Sequence, residues 1–197
     1  MYQMVRWAVA PVQAKERLLA AAVEHALTHG IVDLSLREIA TAVGTSHRML
    51  IYHFGSREGL LVAVVREVER RERETLQSGE QSPEGSREFW AHLADPSLRA
   101  QERLFFEIYS HALRNRPGTE GFLDEVITTW TDPVVRSLVQ SGVAEPTARA
   151  LARLGLAVTR GLLLDLLATG DTAATTEAFQ LFTALVENLQ ASSGGSE

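Results

Sequence analysis

The sequence predicts an all-α fold of about nine helices: a three-helix head carrying a helix-turn-helix, then a longer helical body. Three observations lead there. Apolar residues return at three- and four-residue intervals along nearly all of the 197 residues, the spacing of one helix face. Alternating β-branched runs, the mark of strands, do not occur. Glycine, proline and small hydroxyl residues fall where helices should start and stop.

The first helix is expected to begin near Pro11, because proline suits a helix's first turn. Leu18, Leu19, Ala22, Val23, Ala26 and Leu27 form its apolar stripe, and Gly30 ends it. Ser35-Leu36-Arg37-Glu38 reads as a capping box, in which the hydroxyl meets the free amide of Glu38 and the carboxylate reaches back. That opens a short helix through about Val43. Gly44 stops it, Thr45 or Ser46 caps the next, and the third helix runs to about Phe54. A long helix follows from Ser56 to about Gln77. The stretch Ser78 to Ser86 has almost no apolar content and is expected to be a linker. Five more helices are expected over 86–94, 97–115, 121–141, 145–169 and 172–191, separated by Asp95-Pro96, Arg116-Pro117-Gly118, Ser141-Gly142 and Gly170-Asp171. The domains are then a head at 11–61 and a body at 62–191, with flexible ends at 1–10 and 192–197.

With 45% hydrophobic residues the chain has ample apolar material for a packed core. It has no cysteine, which excludes disulfides, thiolate metal sites and cysteine nucleophiles. Its most apolar run, Leu154 to Gly170, is interrupted by Arg160 and Asp165, so no membrane span is expected. Met1 to Ala10 lacks the apolar centre of a secretory signal, and a cytoplasmic location is expected. The net charge of −6 argues at first against nucleic acid, but its distribution is uneven: residues 1–61 sum to +1 and the remainder to −7.

Two short helices joined by Val43-Gly44-Thr45 fit a helix-turn-helix. Leu36, Ile39, Ala40 and Val43 share a face; small Ala40 admits a close neighbour, and Gly44 permits the tight turn. On the second helix Met49 or Leu50, with Phe54, seals the core. Ser46, His47, Arg48, Ile51 and Tyr52 are left facing outward. Such a tip suits a major groove: arginine can fork onto guanine, serine can take a phosphate, and the helix end itself attracts phosphate. Plainer roles stand beside these. Arg37 can be a solvated partner of Glu38 or Glu58, His53 a core histidine beside Phe54, and Tyr52 a packing partner of Phe54.

From about Lys15 to Leu61 the ordered series of these pieces resembles the DNA-binding head of the TetR family. The matching segments are Ala21-Ala22 through Gly30, Ser35 to Ala40, Gly44-Thr45-Ser46, Leu50 to Phe54, and Ser56-Arg57-Glu58-Gly59-Leu60-Leu61. The rest of the chain resembles the family only in length and helicity. The resemblance implies that Ser35 contacts a phosphate and Arg37 a phosphate or a base. Thr45 and Ser46 would hold the backbone or a base edge, and His47, Arg48 and Met49 take the variable positions that set the DNA sequence. Tyr52, His53 and Arg57 would touch phosphate, Arg57 standing where the family usually has lysine. Two positions depart from the pattern. Ile51 replaces a frequent tyrosine, removing a polar contact. Arg48 replaces a small residue, often glycine, and adds a guanine-reading group.

The last two helices are the most apolar, with Leu151, Leu154 or Gly155, Val158 and Leu162 along one and Phe179, Phe182, Val186 and Leu189 along the other. Stripes this broad suit a two-fold four-helix interface. TetR-like proteins dimerise through their last two large helices, so Leu151, Gly155, Val158, Leu162, Phe179, Phe182 and Val186 are the expected homodimer contacts. Two heads would read the half-sites of a palindromic duplex operator. Trp90, Phe105, Phe106, Tyr109, His111 and Trp130 are candidates to line a pocket for a small-molecule effector, although each also fits an ordinary core, and the pocket itself is implied by the resemblance. Asp165 lies among leucines and calls for a partner.

The implied function is a DNA-binding transcriptional regulator, a repressor released from its operator by a small molecule that prefers one of two conformations. There is no metal-spaced His/Glu set, glycine-rich phosphate loop or nucleophile elbow, so no catalytic residue, metal or cofactor is expected, nor enzymatic activity. Two other functions stay open at this point: a helical ligand-binding protein or enzyme with an incidental helix-turn-helix, and a DNA-binding scaffold that senses no small molecule.

Overall fold

A computed structural model describes the backbone of residues 2–77 and 83–193. Among the described residues there are nine α-helices and no strand. They are α1 (Tyr2–His29), α2 (Leu36–Ala42), α3 (His47–Phe54), α4 (Arg57–Gln77), α5 (Pro83–Leu93), α6 (Arg99–Leu113), α7 (Phe122–Gln140), α8 (Glu145–Thr169) and α9 (Thr172–Ser193), with a 3-10 turn at Pro96–Leu98 before α6.

Three boundaries differ from expectation. α1 starts at Tyr2 instead of near Pro11; Tyr2 to Ala10 holds no glycine or proline, so nothing local stops the helix from extending. α5 starts at Pro83, which makes Pro83 to Ser86 helical, with the proline in the first turn where its missing amide is harmless. The rest of the expected linker, 78–82, lies outside the described residues. α9 continues to Ser193, and of the expected flexible tail 194–197 lies outside the described residues, as does Met1.

The chain divides into two compact units, Met1–Glu72 with Arg103–Leu123, and Arg73–Glu102 with Asp124–Glu197. The first unit thus runs on through α4 to Glu72 and takes in most of α6. In the first unit Leu18, Ala22, Val23 and Ala26 of α1 are buried, as are Ile31, Leu36, Ile39, Ala40 and Leu50. Leu60, Leu61, Val64 and Val65 of α4, and Leu104 and Ile108 of α6, complete this core. Each fully buried leucine or isoleucine contributes about 1.5–3 kcal/mol over its exposed state. The Lys15 ammonium sits 5.7 Å from the Phe54 ring centroid, a cation–π contact between α1 and α3. The turn before α7 approaches the start of α4 closely. Gly118 has φ +92, and a β-carbon there would stand 2.8 Å from Ser56 Oγ and 2.9 Å from the Gly59 amide nitrogen.

In the second unit α8 and α9 form a hairpin through Gly170, whose φ of +74 is the left-handed cap of α8. α5 packs on α9 through Trp90, stacked on Phe179 at 4.9 Å, while the indole N–H donates to Thr176 Oγ1 at 3.0 Å. Arg160 donates to the Val126 carbonyl at 3.0 Å and so ties α8 to α7. Phe89 and Trp130 lie 6.2 Å apart, and the Arg73 guanidinium stands 5.9 Å from the Trp130 ring.

On α4 the Arg70 guanidinium donates two hydrogen bonds of 2.8 Å to Glu67, and Arg71 adds one of 2.9 Å. The bonds from Arg70 above all hold the Glu67 carboxyl down to about 2, against partial burial, which pushes it up. A carboxylate with a lowered folded value stabilises above its unfolded value, here 4.5, and that contribution is lost as pH falls towards 2. Thermal melts should therefore show Glu67→Gln losing less stability than wild type between pH 4.5 and 2; equal losses would contradict it. Gly118→Ala meets both an unfavourable φ and a crowded site, and should cost about 1–3 kcal/mol in denaturant unfolding.

Candidate nucleic-acid interface

The interface is built from α2, the turn after it and α3. Ser35 caps α2: its hydroxyl accepts from the Glu38 amide at 3.3 Å, and the Ser35 amide donates to Glu38 Oε2 at 2.8 Å. This completes the expected capping box. The bonds from Ser35 hold the Glu38 carboxyl below the usual carboxylate range. At the other end Gly44 takes φ +69, and the Thr45 amide donates to the Ala40 carbonyl at 2.8 Å, which closes the turn. Of the two residues open for capping α3, Ser46 does it, accepting from the Met49 amide at 3.3 Å. Leu50, not Met49, seals the helix to the core: Leu50 has no exposed surface, whereas Met49 is exposed.

Ser35, Arg37, Ser46, His47, Arg48 and Met49 are all exposed, and Thr45 is half-buried. Arg37 and Arg48 pair with no acidic side chain among the described residues. Ile51 is partly exposed, and Tyr52 is the most exposed large side chain of α3 at 71%. His53 is half-buried. Its ring meets Tyr52 edge-on at 4.8 Å and Phe54 at 6.4 Å, and its Nε2 is buried without a hydrogen-bond partner. Arg57 turns inward. Its Nε donates to the Leu34 carbonyl at 2.8 Å, a terminal nitrogen donates to the Val32 carbonyl, and the other stands 3.9 Å from Glu107. Sequence spacing had no means of pointing to Glu107, fifty positions away on another helix.

The six aromatic and histidine candidates for an effector pocket fall in different units. Phe105, Phe106, Tyr109 and His111 belong to the first, where Phe105 lies 5.2 Å from Phe106, 5.7 Å from Tyr109 and 6.4 Å from Phe122. Trp90 and Trp130 belong to the second. Trp90 and Phe105 are buried, while Phe106, Tyr109, His111 and Trp130 keep partial exposure. Of the expected dimer contacts, Phe179 is buried beneath Trp90 of α5, and a side chain at Gly155 would meet Phe182 at 3.9 Å. Leu151, Val158, Leu162, Phe182 and Val186 are half-buried. A different row is exposed, comprising Leu154 and Leu164 on α8 with Leu181 and Leu185 on α9. Asp165 is also exposed, so it carries no burial penalty within the chain.

Residues 18–64 match the family model of bacterial regulatory proteins of the tetR family. No curated protein matches the chain in sequence. Among solved structures, the chain is similar to a TetR-family transcriptional regulator from Pectobacterium atrosepticum, at 20% identity and a TM-score of 0.67, over 90% of this chain and 94% of that one. It is likewise similar to a TetR transcriptional regulator from Legionella pneumophila, at 21% identity and a TM-score of 0.64, over 87% and 96% of the two chains. A third is the multidrug binding protein EbrR, solved with imidazole, at 27% identity and a TM-score of 0.61, over 88% and 89%; EbrR has also been solved with ethidium. The capped helix-turn-helix thus coincides with the segment that matches the tetR-family model, and the helices beyond it follow a fold that such regulators share.

Proposed function

We propose that the protein is a homodimeric repressor, held on a palindromic duplex operator by its two heads and released by a small molecule. The observation that carries the DNA contacts is the state of Arg37 and Arg48. In a chain with 25 acidic residues against 19 basic ones, both arginines stay exposed without an acidic partner. Arg48 at the tip of α3 supplies a guanine-reading fork, with His47 and Met49 beside it on the base edges. Ser46 accepts an amide proton for its cap and keeps a hydroxyl proton to donate to a phosphate, and Ser35 stands exposed for a second backbone contact. Thr45, Arg37 and Tyr52 extend the backbone contacts, and Tyr52 makes up for the apolar Ile51. His53 stays packed, its second nitrogen enclosed.

The dimer forms on the exposed sides of α8 and α9. Ala150, Leu154, Ala157, Gly161 and Leu164 recur at helical spacing on one, and Ala174, Ala178, Leu181 and Leu185 on the other, all exposed in the single chain. Small residues between leucines let paired helices approach. EbrR is a multidrug binding protein with imidazole and ethidium complexes, which favours a planar heteroaromatic effector here, taken by the half-exposed rings of Phe106, Tyr109 and His111. Such an effector acts through its different affinity for two conformations. The protein works in the cytoplasm, beside its DNA.

Selection from a random duplex pool should return an inverted repeat, and Arg48→Ala should relax one base position in each half, by about 1–3 kcal/mol of discrimination. Selection of no common site by the wild-type protein would refute the operator. Leu164→Glu with Leu185→Glu should yield a folded monomer in sedimentation; a dimer that survived both changes would place the interface elsewhere.

A further inference from the structure

We infer that Arg57 serves DNA binding from inside the head: it holds the turn that leads into α2, so aiming Ser35 and Arg37, and takes no phosphate itself. This rests on the proposed DNA contacts of Ser35 and Arg37. The whole guanidinium is engaged. Nε donates to the Leu34 carbonyl at 2.8 Å, one terminal nitrogen donates to the Val32 carbonyl, and the other faces Glu107 at 3.9 Å. The side chain is 24% exposed, while Arg37 and Arg48 are exposed outright.

The two carbonyls belong to the last residues before the Ser35 cap. The turn itself has a single backbone bond, from the Leu34 amide to the Ile31 carbonyl at 3.2 Å. Two of its other carbonyls, those of Leu34 and Val32, find their donors on Arg57, 23 and 25 positions along the chain. Reaching a phosphate would strip both carbonyls of their donor and leave Glu107, among the described residues, with His111 at 4.0 Å as its one remaining ion-pair neighbour. The planar fork matters here, because two carbonyls and a carboxylate are met at once in one plane. A lysine ammonium is a point charge that serves a phosphate well but cannot span that set.

The test uses the full-length protein with Arg57→Lys and Arg57→Ala, both checked as folded by circular dichroism. The probes are the duplex selected by wild type and a random duplex of equal length. Amide hydrogen exchange should quicken at residues 35–39 in both variants, with or without DNA. Affinity for the selected duplex should fall about tenfold, the effect of losing one charge-assisted hydrogen bond, with a smaller loss on the random duplex. The slope of log affinity against log salt should stay at the wild-type value, and lysine should rescue nothing. A slope shallower by about 0.9 in Arg57→Ala, restored by lysine, would make Arg57 a phosphate ligand and overturn the inference. Unchanged exchange at 35–39 would overturn it too, and equal losses on both duplexes would reduce Arg57 to a general structural role. If the wild type selected no duplex, the proposed function would fall, while hydrogen exchange would still decide whether Arg57 holds the turn.

Discussion

An eight-residue helix is too short to persist in water by itself, and α3 has eight residues. Its existence depends on one buried side chain, Leu50, which has no exposed surface and is the only residue of α3 counted as buried. The rest of the head follows from that anchor. With Leu50 inside, the 100° step of the helix puts Arg48, Met49 and Tyr52 outside, and His47 is exposed at the open first turn. Ser46 and Gly55 close the two ends, and Lys15 braces Phe54 from α1. A groove-reading helix must present its side chains from a rigid base, and here rigidity comes from packing, since propensity over two turns supplies little.

Local signals made this much legible in advance. The capping box spans Ser35 to Glu38, the turn needs only Gly44, and both effects operate within four residues, so the sequence displays them directly. Where two neighbours were chemically equivalent, as with Thr45 and Ser46 or Met49 and Leu50, only the three-dimensional register could choose. Arg57 shows a second limit of local reading. Its position in the motif points to phosphate, but its partners Val32, Leu34 and Glu107 are set by how α1, α4 and α6 meet. Long-range partners of a long flexible side chain leave no local trace.

The acidic balance of the chain looks unfavourable for DNA until the charges are followed to their partners. Several surface arginines are neutralised along their own helices, as Arg70 and Arg71 are by Glu67 and Arg149 is by Glu145. Such i,i+3 and i,i+4 pairs contribute only a few tenths of a kcal/mol each, but they leave little positive field there. Arg37 and Arg48 stand outside this pattern, as do Arg103, Arg114 and Arg153, but the first two lie on the helix-turn-helix. Net charge describes colloidal behaviour, whereas binding is decided by the few cations that remain uncompensated on one surface.

The hairpin of α8 and α9 shows why apolar stripes identify an interface more readily than they identify its partner. Both helices carry apolar or small residues around more than half of their circumference, and periodicity cannot say which side faces the sister helix. Phe179 and Phe182 find partners within the single chain, where their rings fill the space beneath Trp90 of α5 and opposite Gly155. The smaller residues interspersed with Leu154, Leu164, Leu181 and Leu185 are left outside. A flat alternation of small and large residues is what a symmetric partner needs, since each helix must accept its own copy without a protruding ring at the two-fold axis. Residue size thus differs between the sides: bulky aromatics fill space within the single chain, and smaller residues alternate with leucine on the exposed sides of the two helices.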